Sequence, residues 1–306
     1  MITILITGSK GLIGSSISQL LETSGFRVVE YDNFYHKTHP GYGTLSNQEL
    51  LSEKIKGCDG VIHLASVSRV IWGEQNPELC DKTNRIGTRN VIRAALTSSK
   101  KPWIIYASSR EVYGEQEILP VQEDFSLKPM NIYAHSKVAA EKLITEVRRE
   151  GLKTSILRFS NVFGGADDHV DRVIPAFSWG ALNNQPLKIE GRENVFDFTH
   201  VEDVARGIFL VVAHLVQEES SLPPIHFTSG QGKTLGEAAN IIIGKARSKS
   251  RLLELPPRNF DVSRFYGDPS RSKELLGWKT HYNFEQAIDK YLVLLRTQIE
   301  ERRKIA

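Results

Sequence analysis

Ile2-Thr3-Ile4-Leu5-Ile6-Thr7-Gly8-Ser9-Lys10-Gly11-Leu12-Ile13-Gly14 opens the chain with a β-branched run, a glycine-rich turn and the first turn of a helix. A short apolar run ended by glycine reads as a buried strand, and apolar residues spaced i, i+3/i+4 over Leu12–Leu21 read as a helix. The next β-branched run, Val28–Tyr31, ends at Asp32. Further out the alternation continues, with strands expected at Val61–Leu64, Trp103–Tyr106 and Thr154–Leu157 and helices at Asn84–Leu96 and Tyr133–Val147. Near-continuous apolar strands alternating with amphipathic helices predict a parallel sheet covered on both faces. Right-handed crossovers make that an α/β, doubly wound fold, with ligands at the carboxyl ends of the strands.

The alternation weakens after Gly164. A polar loop (164–171) leads to a helical segment ending near Leu182, a strand at Leu187–Ile189, a helix at Val201–Val216 and a strand at Ile225–Phe227. Helices are then expected at Leu235–Ala246, Pro269–Leu276 and Phe284–Arg296, with a frayed basic end at Arg302–Lys304. We read residues 1–165 as the first domain, joined by a return segment near 198–217. Residues 166–197 and 218–306 form a smaller mixed α/β C-terminal domain.

Composition narrows the class. Hydrophobic residues make up 40% and charged residues 25% of the 306, ordinary for a globular chain. The formal charge of +3 is too small to argue for nucleic acid or a membrane surface as partner. Two cysteines, Cys58 and Cys80, form neither a disulfide framework nor a metal spacing, and the first strand starts at Ile2, where no signal peptide fits. A cytoplasmic protein is the expectation. His36 and His39 have no third ligand near in sequence, so no metal is expected. Asp167-Asp168-His169-x-Asp171 reads instead as a polar, mobile loop.

In the opening turn, Gly8 permits the tight bend, Gly11 lets the backbone approach a pyrophosphate, and Gly14 lets the helix pack close to the strand. Helix N-terminal amides then meet phosphate charge. Asp32, at the end of the second strand, is placed to accept hydrogen bonds from ribose hydroxyls and to repel a 2′-phosphate, and no arginine follows it. The expected cofactor is NAD rather than NADP. Lys10, Leu12 and Ile13 share the loop, and Asn33 follows Asp32. Leu64, Ala107 and Ser108 end neighbouring strands, and all seven are expected to line the same cofactor.

Tyr133-Ala134-His135-Ser136-Lys137 sets a tyrosine and a lysine at i and i+4 on one helix face. A phenol of pKa ~10 is a poor base at neutral pH, and a neighbouring ammonium and a positive nicotinamide would both favour phenolate. Such a tyrosine can take a proton from a sugar hydroxyl. Ser108, Ser109 and Glu111 follow the strand at Trp103 and are expected to face the same crevice, with Ser109 assisting at the reacting hydroxyl.

Gly8/Gly11/Gly14, Asp32, His63-Leu64-Ala65-Ser66, Asn84-x-x-Gly87-Thr88, Ser109, Tyr133/Lys137 and Leu275-Leu276-Gly277-Trp278 occur in an order that resembles the extended short-chain dehydrogenase/reductases. Within them the chain resembles the NAD-dependent epimerase/dehydratase family, which acts on nucleotide sugars, over nearly its whole length. The resemblance implies a Rossmann domain plus a substrate domain. It implies that Tyr133 is the base and acid, that Lys137 holds the nicotinamide ribose, and that Asn84 supports the pair. Asp59 resembles an adenine contact, and Ala65 and Ser66 resemble residues lining the diphosphate and nicotinamide. On the substrate side, Asn161 and Arg258 resemble contacts to the nucleotide diphosphate, with Arg192 as a helper, and Val173 opens a stretch that resembles a turn packing beside the nucleotide.

The chain also departs from the family. Phe196 stands where a phosphate-binding arginine is usual, and the segment between Asp32 and Asp59 is short, which leaves the adenine pocket more open. Arg110 and Glu111 stand where dehydratases carry Asp-Glu, and an arginine cannot serve as the acid. The resemblance implies an epimerase on a nucleotide sugar, a UDP-sugar first, through a 4-keto sugar, with Arg110 on the substrate side. A dehydratase or decarboxylase using Glu111, or an idle NAD-binding regulator, remain the alternatives. A homodimer through Asn84–Leu96 and Tyr133–Val147 is the oligomer the resemblance implies.

Overall fold

A computed structural model of the chain describes residues 1–166, 168–218 and 220–305, with the side chains of 302–305 excepted. Asp167 and the side chains of Arg302–Lys304 therefore lie outside the described residues.

The opening run forms β1 (Thr3–Thr7), followed by α1 (Leu12–Thr23), β2 (Arg27–Tyr31), α2 (Gln48–Ile55) and β3 (Gly60–His63). Two short helices, α3 (Val70–Gln75) and α4 (Pro77–Asp81), lead through a π-helical turn (Lys82–Ile86) into α5 (Gly87–Thr97). Next come β4 (Trp103–Ser109), α6 (Ile132–Glu146) and β5 (Thr154–Phe159). Within β1, Ile4 and Ile6 pack on one face, with α1 and the later Val201–Leu215 segment, while Leu5 packs on the other with Leu51, Val91 and Ile144. Both faces are thus apolar, which is why the strand lacks the alternation of a half-exposed sheet.

Beyond β5 lie β6 (Asn161–Phe163), α7 (Val173–Leu182), β7 (Leu187–Glu190), β8 (Val195–His200), α8 (Val201–Gln217) and β9 (Ile225–Phe227). They are followed by β10 (Gly232–Thr234), α9 (Leu235–Ala246), β11 (Leu252–Leu255), α10 (Ser270–Leu276) and α11 (Phe284–Ile305). The parallel sheet has the order β2-β1-β3-β4-β5-β9. The chain's return to it therefore reaches Phe227, which pairs with Phe159, rather than stopping near residue 217. A second core, with Phe163, Phe177, Ile189, Phe198, Ile242 and Ile288, holds the small sheets β10-β8-β6 and β11-β7.

Strand order reverses between β1 and β3, so a crevice opens at their carboxyl ends. One edge is reduced. Asp32 N donates to Gly41 O at 2.8 Å and Gly43 N donates to Asp32 O at 2.9 Å, making a single parallel bridge between Asp32 and Tyr42. The short segment after Asp32 thus runs beside β2 as a strand only one residue long. The elements that periodicity missed (α2–α4, β6, β8, β10 and β11) are mostly three to eight residues long, too short to show a full period.

Candidate active site

The glycine loop folds as a cradle, and each glycine has its own reason. Gly8 has φ +73°, and a Cβ there would lie 2.7 Å from Ala65 N. A Cβ on Gly14 would lie 2.0 Å from Gly8 O, so helix and strand approach through the missing side chain. At Gly11 the nearest atom to such a Cβ is 3.5 Å away, an ordinary contact, which leaves room above the turn. Gly11 caps α1 without a side-chain hydrogen bond, and no acidic residue occupies its first turn. The helix therefore presents unneutralised amide donors at that room. Asp32 lies beside it, buried, accepting Lys10 N on one oxygen and Phe34 N on the other, both at 2.9 Å. Open backbone, uncapped amides and a fixed carboxylate fit a dinucleotide such as NAD.

The adenine side is less bare than its short loop implied. Tyr35 stacks on His39 at 4.0 Å, donates to Glu30 at 2.6 Å, and lies under the Lys10 ammonium at 5.1 Å. Asp59 is a correction. It sits at the amino end of β3, accepting Thr3 N at 2.8 Å and Lys100 Nζ at 2.7 Å, at the edge of the sheet opposite the cradle. A strand the length of β1 spans ~13 Å, so the carboxylate cannot reach an adenine on the cradle. Asn33 is exposed in the turn after Asp32.

On the other side of the crevice wall, Leu64 N donates to Thr7 O at 3.1 Å and Ala65 N to Thr7 Oγ1 at 3.3 Å. His63 is held between Thr7 Oγ1 (2.7 Å) and Thr88 Oγ1 (3.0 Å), and burial lowers its pKa to about 3, so it is neutral and structural. Asn84, on the π-helical turn, accepts Val67 N at 2.8 Å and donates to Val67 O at 3.1 Å and to Ser136 Oγ at 2.8 Å. Its amide thus fixes the strand end beyond Ser66. It meets the Tyr133 helix through Ser136, which in turn donates to Tyr133 O at 2.7 Å.

Helix α6 begins at Asn131, whose side chain accepts Ala134 N at 2.8 Å. Tyr133 and Lys137 lie one turn apart, both buried. Lys137 Nζ donates to Ala107 O at 2.9 Å and sits 5.7 Å from the centre of the Tyr133 ring. Burial lowers the lysine to about 8. Burial also pushes the Tyr133 phenol well up, while a hydrogen bond from Ser109 works the other way. By themselves, these surroundings keep the phenol protonated.

Ser109 and Ser108 point to opposite faces, as successive strand residues must. Ser109 faces Tyr133. The Ser108 hydroxyl donates to Glu141 at 2.5 Å, so the expectation that both serines line the crevice fails for Ser108. Glu141 in turn binds Arg158 through two bonds (2.6 and 2.9 Å), and Arg158 donates to Tyr113, which pairs with His226. That buried network, unread in the sequence, anchors the floor of the site. Glu111 is buried with both oxygens engaged, one by Arg110 at 2.8 Å and one by Asn131 at 3.0 Å. Asn131 carried a readable signal, an amide two residues before a helical run.

The second sheet supplies the far wall. Asn161, on β6, keeps a buried Nδ2 without a hydrogen-bond partner among the described residues. Val173 opens α7 at the rim of the second core. Arg192 and Arg258 are part-exposed: Arg192 pairs with Glu254, and Arg258 pairs with Asp261 at 2.6 Å and Glu190 at 3.4 Å. The loop expected to be mobile is tied down instead. Asp171 pairs with Arg69 across the cleft, His169 meets Trp72 edge-on at 4.9 Å, and buried Asp168 pairs with Arg172 at 3.2 Å.

A family model described as the NAD dependent epimerase/dehydratase family matches residues 4–222. The chain is 27% identical over 315 residues to UDP-glucuronic acid decarboxylase 1 of Danio rerio, covering 98% of this chain and 74% of the relative. It is 26% identical over 325 residues to UDP-glucose 4-epimerase of Pisum sativum, covering 92% of each. Among solved structures, UDP-glucose 4-epimerase of Thermotoga maritima with UDP-glucose matches at a TM-score of 0.90 and 24% identity, over 97% of this chain and 100% of that one.

Proposed function

This chain belongs to the NAD dependent epimerase/dehydratase family, and from that premise we propose that it is a nucleotide-sugar 4-epimerase, with a UDP-sugar as substrate. One observation carries the reading: a buried tyrosine, a buried lysine and a serine converge at the carboxyl end of β4, beside a cradle shaped for NAD. NAD, when bound, supplies reversible oxidation and reduction at the sugar carbon.

Tyr133 takes the proton of the sugar 4-hydroxyl as the carbon is oxidised and gives it back on reduction. Lys137, held to Ala107 O, places positive charge beside the phenol, opposing the effect of burial. Ser109 orients the same hydroxyl. The 4-keto sugar, turned over in the cleft, is reduced on its other face. Asn161 offers its free amide nitrogen to the nucleotide moiety, and Arg258 with Arg192 serves the diphosphate. Phe196 contributes no charge, so that task falls to these two.

The surroundings of Glu111 support the epimerase reading over the rival chemistries. A dehydratase or decarboxylase reading needs a free carboxylate here, whereas this one is held by Arg110 and Asn131. The test is incubation of the NAD-loaded enzyme with UDP-glucose and UDP-glucuronate, with products followed by NMR. Epimer without net NADH supports the proposal, whereas loss of water or carbon dioxide transfers it to the rival reading. Turnover of neither sugar, with NAD still bound, leaves the idle regulator.

We also propose a cytoplasmic homodimer. Helices α5 and α6 leave between them a groove of about 320 Å³, lined by Ile92, Leu96, Leu143 and Val147 with Arg89 and Glu146 at its rim. No described helix is long and apolar enough to cross a membrane. Light scattering of wild type against Leu96→Asp checks the oligomer, the variant running as a monomer if these helices pair.

A further inference from the structure

The fold leaves the hydrogen-bonding capacity of Arg110 only partly used. The residue is 8% exposed. One terminal nitrogen, Nη2, reaches Glu111 at 2.8 Å. The guanidinium carbon lies over the Phe196 ring, 4.5 Å from its centre, with the Phe265 ring at 5.8 Å. The other terminal nitrogen, Nη1, is buried and has no hydrogen-bond partner among the described residues. Leaving a buried donor without an acceptor is unfavourable, and more so when it carries charge. Phe196 and Phe265 cover the flat of the group, so its N–H edge is the direction left for a partner.

Two observations identify that partner. The first is position. Arg110 directly follows Ser109, whose hydroxyl bears on the Tyr133 phenol. Its partner Glu111 is held by Asn131, two residues before Tyr133, which keeps the head on the Tyr133 side of the cleft, while Arg192 and Arg258 sit part-exposed beside β7 and β11. The second is charge. Arg158 is paired with Glu141, Arg172 with Asp168 and Arg110 with Glu111. Lys137 donates to a backbone carbonyl, and no described carboxylate lies within ion-pair reach of it. These cations are thus matched except for Lys137, which sits beside Tyr133, so the donor left unmatched on the substrate side is the Nη1 edge of Arg110. The planar acceptor that matches a guanidinium edge is a carboxylate.

We propose that Arg110 recognises a carboxylate carried on the sugar ring, so that the preferred substrate is a nucleotide-linked uronic acid rather than a neutral hexose. The inference rests on the nucleotide-sugar reading of this cleft and names its substrate class. It also gives the position after Ser109 a substrate-selecting role, with the Phe196 ring serving as the platform on which the guanidinium is held flat.

Binding and turnover are measured separately. NAD-loaded wild type, Arg110→Gln and Arg110→Lys are titrated calorimetrically with UDP-glucuronate, UDP-glucose and UDP, and products are followed by NMR in parallel. The wild type is expected to bind UDP-glucuronate about 10–100-fold more tightly than UDP-glucose, the range of a charge-assisted hydrogen bond. Arg110→Gln erases that preference and leaves UDP affinity within about twofold, while Arg110→Lys retains part of it. Should the glutamine variant not fold by circular dichroism, the lysine variant decides, and an unreduced preference in it overturns the proposal. Equal wild-type affinity for the two sugars, or equal weakening of both in Arg110→Gln, also overturns it. Tight UDP-glucuronate binding without any epimer leaves the inference standing and removes the epimerase reading. Failure to bind either UDP-sugar removes both.

Discussion

The two walls of the cleft are built in different ways. The wall around Gly8, Gly11 and Gly14 is mostly backbone from one continuous stretch, with its shape set by absent side chains and its charge by the end of α1. The opposite wall is side chains from separate segments: Arg110 and Glu111 after β4, Asn131 before α6, Asn161 on β6, Phe196 on β8 and Phe265 near the C-terminal end. A backbone-built site needs only a local pattern. One made of side chains depends on how distant segments pack, so its specificity can change by single substitutions while the cradle stays the same.

The proposed catalytic residues lie between the two walls, and breaking them should have the largest effect. Tyr133→Phe is expected to lower turnover by about 10²–10⁴-fold with the fold intact. NMR of the sugar products together with a thermal melt checks this, and a loss below tenfold would remove Tyr133 from its role.

The glycines sharpen the comparison next. Gly14→Ala places a methyl 2.0 Å from Gly8 O, so a loss of about 1–3 kcal/mol of stability is expected along with loss of bound NAD. Gly11→Ala meets only an ordinary 3.5 Å contact, so its melt should match wild type while its NAD affinity falls. Denaturant melts with calorimetric NAD titrations separate the two, and equal melting behaviour would contradict the division of labour between the glycines.

Lys137 gives a smaller effect, visible through pH. Burial lowers its pKa from 10.5 to about 8, so between those values the unfolded chain binds more protons than the folded one. Stability then rises with pH across that window, and below it the penalty of burying the charge is fully present. The stability difference between wild type and Lys137→Met should therefore shift in favour of wild type as pH climbs from 8 towards 10.5. A flat difference would mean that the ammonium is not desolvated.

The smallest expected effect is at Asp59, held by Thr3 N and Lys100 at the far edge of the sheet. Asp59→Ala should leave NAD affinity within about twofold of wild type and alter only the melt. A larger change in affinity would return Asp59 to the adenine site.

Much of this was legible in the sequence, for physical reasons that differ by residue. The parallel sheet was readable because strands buried on both faces must be apolar throughout, and the Tyr133/Lys137 pair because helical spacing alone sets i and i+4 on one face. Asp59 was misplaced because a carboxylate next to a strand carries no mark of which end of the sheet it occupies. Ser108 was misplaced because two adjacent hydroxyls at a strand end look alike until the strand turns one inward to Glu141. The loop after Gly164 read as mobile from its polarity, yet Arg69, 102 residues before Asp171, ties it down.

By itself the sequence determined the βαβ cradle and singled out Asp32, Tyr133, Lys137 and Ser109 as candidates, because each is marked by its place within one segment. Only the tertiary structure decided that Asn84 acts through Ser136, that Glu111 is pinned from two sides, and that Arg110 lies on Phe196 with one nitrogen unmatched. Those relations join residues as much as 86 positions apart along the chain. They exist only because the packing of two sheets brings the ends of β4, β6 and β8 to one cleft.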